Sequence, residues 1–157
     1  MDGRATIARH RLRVSADYFL PVDNNTLPTG MICRVDGTEY DFRSAAPVPT
    51  DRSLDANLCL HEGKREIPQL AAALCAPDGL TLEILTTEPG LQLYNGKGLG
   101  PVSATMHDGR NLSPCAGIAL EPQLWPDAPS HKVFPSILLP ATQVYTQKTM
   151  YRISRQS

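Results

Sequence analysis

Long apolar runs, basic stripes and closely spaced cysteines are all missing from this sequence. No stretch approaches the roughly 20 apolar residues that a membrane-crossing helix needs, so no membrane partner is expected. Lys and Arg number 15 against 16 Asp and Glu, for a net charge of -1. That balance leaves no positive patch for a phosphate backbone, and no nucleic-acid partner is expected. The four cysteines, Cys33, Cys59, Cys75 and Cys115, form no C-x-x-C pair. Each sits among apolar neighbours and reads as a free thiol in a reducing compartment. The start, M-D-G-R-A-T-I-A-R-H-R, has basic residues but no apolar core of a secretory signal, so a cytoplasmic location is expected. The four histidines have no ligand-like spacing, so neither a metal nor a cofactor is expected. No internal repeat or low-complexity tract stands out.

What is abundant is punctuation. Fourteen prolines and eleven glycines divide 157 residues into segments too short for long helices. Many of these segments are rich in Val, Ile, Leu, Thr and Tyr, which favours strands joined by structured loops. The length fits a single domain over residues 1–157. Strands are expected at His10–Val14, Leu58–Leu60, Gln69–Ala76, Leu80–Thr86, Leu91–Tyr94, Cys115–Leu120 and Val144–Ile153. The segment Q-L-A-A-A-L-C-A has good helix formers but stands in an all-strand context, and P-D-G at 77–79 predicts a hairpin into Leu80–Thr86. Asp36-Gly37 predicts a second hairpin between Met31–Val35 and Thr38–Phe42. Lys97–Ser113 reads as a long polar loop.

The chemistry concentrates in residues 119–135, A-L-E-P-Q-L-W-P-D-A-P-S-H-K-V-F-P. Here Glu121 stands at the exit of an apolar strand, where the strand can tune its solvation and the following loop can fix its position, as a general base requires. The prolines stiffen that loop and exclude a helix or a central strand. Polar groups also flank short strands at Asp55/Asn57, Glu88/Gln92 and Gln123, and in the loop P-V-D-N-N-T-L-P-T-G. A cleft lined with carboxylates and amides suits a polyhydroxyl ligand. Glu88, before Pro89, reads as a turn acid, and Trp125 as a packing residue under the proline loop.

Three words of this sequence are more specific. P-V-D-x-x-x-L-P-T-G with V-x-G-T-x-Y-D-F-R (21–43), L-E-I-L-T-T-E-P-G-L-Q-L-Y-N-G (82–96) and A-L-E-P-Q-L-W-P-D-A-P-S-H-K-V-F-P-S (119–136) resemble the aldose 1-epimerase (galactose mutarotase) family in order and spacing. The resemblance runs from about His10 to Ile153 and covers only the C-terminal half of a family member. It implies an all-β fold, an antiparallel β-sandwich forming part of a supersandwich. It implies an isomerase that interconverts the α and β anomers of a hexose such as galactose or glucose, without cofactor or metal. Glu121 matches the family's general base, and Asp55 and Gln92 match groups that hold the sugar hydroxyls.

The departures from the family pattern are equally specific. The H-x-Y-F-N-L word that carries the family's general-acid His is absent, and A-D-Y-F-L at 16–20 has no His. The family's Y-D-H-N is L-D-A-N here, with Ala56 in place of His, and its E-T-Q is E-P-Q. A second reading is therefore a non-catalytic carbohydrate-binding remnant, or a fragment that needs a missing N-terminal half. The expected partners are a small-molecule sugar and either that complementing half or another copy of the chain.

Overall fold

A computed structural model describes residues 6–99 and 113–155. Most of the loop expected at Lys97–Ser113 lies outside the described residues. Among the described residues, ten strands make two five-stranded antiparallel sheets. In chain order they are β1 (Arg11–Val14), β2 (Tyr18–Leu20), β3 (Cys33–Arg34), β4 (Ala46–Pro47) and β5 (Asp55–Cys59), followed by β6 (Gln69–Cys75), β7 (Leu80–Thr86), β8 (Gly90–Tyr94), β9 (Ala119–Gln123) and β10 (Thr149–Arg155). The first sheet runs β10-β7-β6-β1-β4 and the second β3-β2-β5-β8-β9. The fold is an all-β antiparallel sandwich. No helix among the described residues is long and apolar enough to cross a membrane.

Alternation builds the core. Leu12, Val14, Ala72 and Leu74 of the first sheet face Leu58, Leu91 and Leu93 of the second, and all are buried. Burying one such leucine contributes about 1.5–3 kcal/mol. The second sheet is covered on its other face as well, by the chain after β9. There Trp125, Ala128 and Phe134 pack on Leu20 and Cys59, with the Trp125 and Phe134 rings edge to face at 5.4 Å. Trp125 Nε1 donates to the Pro89 carbonyl at 3.0 Å, which bears out its packing role.

The β6–β7 hairpin forms as expected across its P-D-G turn, with Gly79 at φ 82°. The Asp36-Gly37 hairpin does not. Gly37 takes φ 70°, but Thr38 turns back on Val35, with its N–H and Oγ1 donating to the Val35 carbonyl at 2.9 and 2.8 Å. Residues 38–42 then cross the sandwich, where the Phe42 carbonyl accepts the Val14 N–H at 2.8 Å, and β3 pairs with β2 instead. Arg43 helps hold this course by bonding both Asp36 and Asp41 at 2.7 Å, and the Asp36 and Asp41 carboxyls lie below their usual range because of their hydrogen bonds to Arg34 and Arg43.

Other differences lie at strand ends. Asp55 and Asn57 sit inside β5 rather than ahead of it. β9 begins at Ala119 and continues through Glu121 and Pro122 to Gln123, instead of ending at Leu120. Proline is accommodated because β9 ends its sheet, where an amide hydrogen is dispensable. β10 covers Thr149–Arg155, so residues 144–148 are not strand.

Candidate functional site

Cross-strand register builds the site. Asn57 on β5 pairs with Gln92 on β8, and Gln92 pairs with Glu121 on β9. One row of three polar side chains thus crosses the outer face of the second sheet. Side chains alternate along a strand, so Asp55 two positions before Asn57, and Gln123 two after Glu121, join the same face. The intervening Ala56, Leu58, Leu91 and Leu93 point into the core.

These side chains hold one another. Gln92 Nε2 donates to Asp55 Oδ1 at 2.6 Å, and Gln123 Nε2 donates to Asn57 Oδ1 at 3.3 Å. Both bonds fix amide orientation, leaving the remaining lone pairs and N–H groups for a ligand. Asn57 is 1% exposed, and its Nδ2 has no hydrogen-bond partner among the described residues. A buried donor without an acceptor costs about 1–3 kcal/mol, so a ligand oxygen in the cleft would be favoured there. Gly90 makes room for this arrangement: a Cβ at that position would meet Asn57 Oδ1 at 2.6 Å.

Asp55, Asn57, Gln92 and Gln123 line a cleft of about 300 Å³ whose far wall is Val22, Thr26 and Pro28. That wall is the P-V-D-N-N-T-L-P-T-G loop, closed on itself by Asp23 Oδ1, which accepts from the N–H groups of Asn25 and Leu27 at 2.8 and 3.0 Å. His131 ties the wall to the chain after β9, its Nε2 donating to the Pro28 carbonyl at 3.1 Å. Gly30, at φ 84°, leaves space for that imidazole, since a Cβ there would lie 2.7 Å from His131 Nδ1. Two of the distinctive sequence words therefore pack directly against each other.

The structure brings Asp55 and Gln92 together and places Glu121 beside Gln92, but not inside the walled cleft. Glu121 is exposed at the rim. Among the described residues β9 is the last strand of its sheet, so Glu121 stands at the sheet edge. Glu88 does not line the cleft and is wholly buried. Its carboxylate accepts from the Tyr145 hydroxyl at 2.7 Å and lies 3.3 Å from Lys64 Nζ, so this turn acid before Pro89 belongs to a buried cluster. Asn57 and Gln123 enter the site more firmly than their sequence positions alone implied. The signal was parity: each lies two residues from a predicted site residue on one strand.

Residues 1–152 match the aldose 1-epimerase family model. The chain belongs to the aldose 1-epimerase family. Its relatives include the galactose mutarotase of Rattus norvegicus, 37% identical over 162 aligned positions, and the aldose 1-epimerase of Escherichia coli K12, 31% identical over 168. The alignments take in 98% and 97% of this chain but only 46% and 47% of those proteins. This aldose 1-epimerase family chain thus spans about half the length of the curated relatives it matches. Among solved structures, the aldose epimerase homologue from C. elegans superposes on all of the chain with a TM-score of 0.87 at 29% identity, over 49% of its own length. The galactose 1-epimerase of Lactobacillus acidophilus shares the fold, with a TM-score of 0.67 at 24% identity.

Proposed function

We propose that this chain carries the general-base half of a hexose mutarotase site. The observation that carries the proposal is the polar row Asn57–Gln92–Glu121, flanked by Asp55, beside a cleft of sugar size. Asp55 and Gln92 hold sugar hydroxyls, their side chains already fixed against each other at 2.6 Å. Asn57 Nδ2 donates to a hydroxyl oxygen. Glu121, at the rim, takes the proton of the anomeric hydroxyl as an acid delivers one to the ring oxygen. The C1–O5 bond breaks, C1 turns about the C1–C2 bond as an aldehyde, and the ring recloses with the proton transfers reversed. The sequence has no H-x-Y-F-N-L word, so a group other than that word's His, or water, delivers this proton. All four cysteines are free, which fits action in a reducing compartment such as the cytoplasm.

Saturation-transfer NMR with galactose and glucose tests the site. The native chain is expected to bind, and Asp55→Ala and Gln92→Ala are each expected to abolish the transfer signal. No transfer to either sugar from a folded native sample would sink the proposal. The second reading, a carbohydrate-binding remnant, is favoured by the exposure of Glu121 at a strand edge that no described strand pairs. It predicts the same binding without any Glu121-dependent exchange of anomers.

A further inference from the structure

A second and larger recess opens on the outer face of the second sheet. Along β5 the outward row runs Asp55, Asn57, Cys59, and His61 follows in the same parity. Asp55 and Asn57 line the cleft already described, whereas Cys59 and His61 line a recess of about 720 Å³. β2 divides in the same way, with Leu20 at the cleft and Tyr18 at the recess. The chain after β9 separates the two, since Pro126 lines the cleft and Trp125 the recess. The Pro89 carbonyl fixes this partition. It accepts from the N–H groups of Leu60 and His61 at 2.8 and 3.3 Å and from Trp125 Nε1 at 3.0 Å, which ties Trp125 to the exit of β5.

The recess has an apolar side and an acidic end. Tyr18, Ile32 and Val133 stand on the apolar side, and they are 40%, 41% and 69% exposed. Apolar surface kept in water around a preformed concavity of this size is the usual makeup of a small-molecule site. The polar groups gather at one end, because the pairing of Tyr18 with Cys59 sets Asp17 beside the residues that follow β5. That end holds Asp17, His61 and Glu62, and among the described residues no Lys or Arg lines the recess. Glu62 pairs with no cation among the described residues. Asp17 shares Arg43, 3.6 Å away, with Asp36 and Asp41, each at 2.7 Å. The His61 imidazole is held below its usual range by burial, so it brings no positive charge at neutral pH. Arg65 lines a neighbouring recess and not this one.

We propose that this recess binds an organic cation with an aromatic body, in its simplest form an arylalkylamine. The body lies against Tyr18, Trp125 and Phe134, and the ammonium group donates to Asp17 and Glu62. Charge decides the class. A carboxylate ligand would meet two acids and no lining cation, and a neutral hydrocarbon would leave both acids unused. The proposal does not rest on the mutarotase reading, since the recess and the cleft share no lining residue.

Trp125 is the only tryptophan, so its fluorescence reports on the recess directly. The whole chain is titrated with 2-phenylethylamine, with its neutral counterpart 2-phenylethanol and with the anion 3-phenylpropionate. A saturable change is expected with the amine below about 10 mM, the range of weak fragments. The alcohol is expected to bind about fivefold more weakly, and the anion more weakly still. The double variant Asp17→Asn/Glu62→Gln is expected to weaken the amine about fivefold while its circular dichroism stays native. Val133→Arg, which sets a cation at an exposed rim, is expected to weaken it by a similar factor. Galactose is expected to leave the amine titration unchanged. No saturable change with the amine overturns the proposal, as does equal binding of amine and alcohol or a response that survives both variants. Displacement of the amine by galactose would place it in the cleft and overturns the proposal as well.

Discussion

Removing the Tyr145 hydroxyl tests how the stretch before β10 is anchored. Tyr145 donates at 2.7 Å to the carboxylate of Glu88, which is 0% exposed. Lys64 Nζ lies 3.3 Å from the other oxygen and 3.7 Å from the centre of the Tyr145 ring. Burial, and then the hydrogen bond to Glu88, push the Tyr145 phenol up to about 12, so it stays a donor across the neutral range. A hydrogen bond to a charged group contributes about 1.5–3 kcal/mol. Tyr145 is 43% exposed, so water can partly replace it, which discounts that range to about 1–2 kcal/mol. For a chain of 157 residues, each kcal/mol moves Tm by about 2–4 °C, so Tyr145→Phe is expected to lower Tm by about 2–8 °C. Lys64→Met is expected to cost more, since it leaves a buried carboxylate without its counter-charge, a loss of about 3–5 kcal/mol in such pairs. Calorimetry of the two single variants and the double variant measures both effects and their coupling. A Tyr145→Phe chain that melts within about 1 °C of the native one would refute the assignment of Glu88 as an anchor.

Gly90→Ala is expected to displace Asn57 and cost about 1–3 kcal/mol by overpacking, because the new methyl would also lie 3.1 Å from the Gln123 carbonyl. Denaturant melts and sugar titration read the two consequences. A pH dependence is expected from His61, whose imidazole is held below its usual range by burial and then by the charge of Arg65. Its Nε2 is buried without a hydrogen-bond partner among the described residues. The unfolded chain takes the proton more readily than the folded one, so stability is full above about 6.5, the ordinary histidine value, and falls as pH drops below it. His61→Gln is expected to flatten that part of the Tm-against-pH curve. An unchanged curve would remove His61 from the account.

Much of the architecture was legible because alternation is a strong local signal. Leu80–Thr86 and Gln69–Ala76 read as strands, and β6 and β7 form the hairpin about Gly79. The Asp36-Gly37 turn misled because a turn dictates reversal, not partnership. Where the chain goes afterwards was decided by the burial of Phe42 among residues far along the chain, with the bonds of Arg43 to Asp36 and Asp41 holding that course. The candidate site residues were chosen by their words, but their arrangement could not be read there. Asn57, Gln92 and Glu121 lie far apart in sequence, and only the pairing of β5, β8 and β9 puts them in one row. The exposure of Glu121 was likewise hidden, since an apolar run before an acid reads the same on an inner or an outer strand. The buried role of Glu88 depends on Lys64 and Tyr145, which no local pattern links to it.

The central claim is that Glu121 moves the anomeric proton. Exchange NMR between the α and β anomers of galactose and glucose tests it most directly, comparing native chain, Glu121→Gln and buffer alone. A positioned general base typically contributes about 10²- to 10⁴-fold, so the native chain is expected to speed exchange above buffer and Glu121→Gln to return it to the buffer rate. Exchange equal to buffer from a folded native sample, or exchange that survives Glu121→Gln, would contradict the claim.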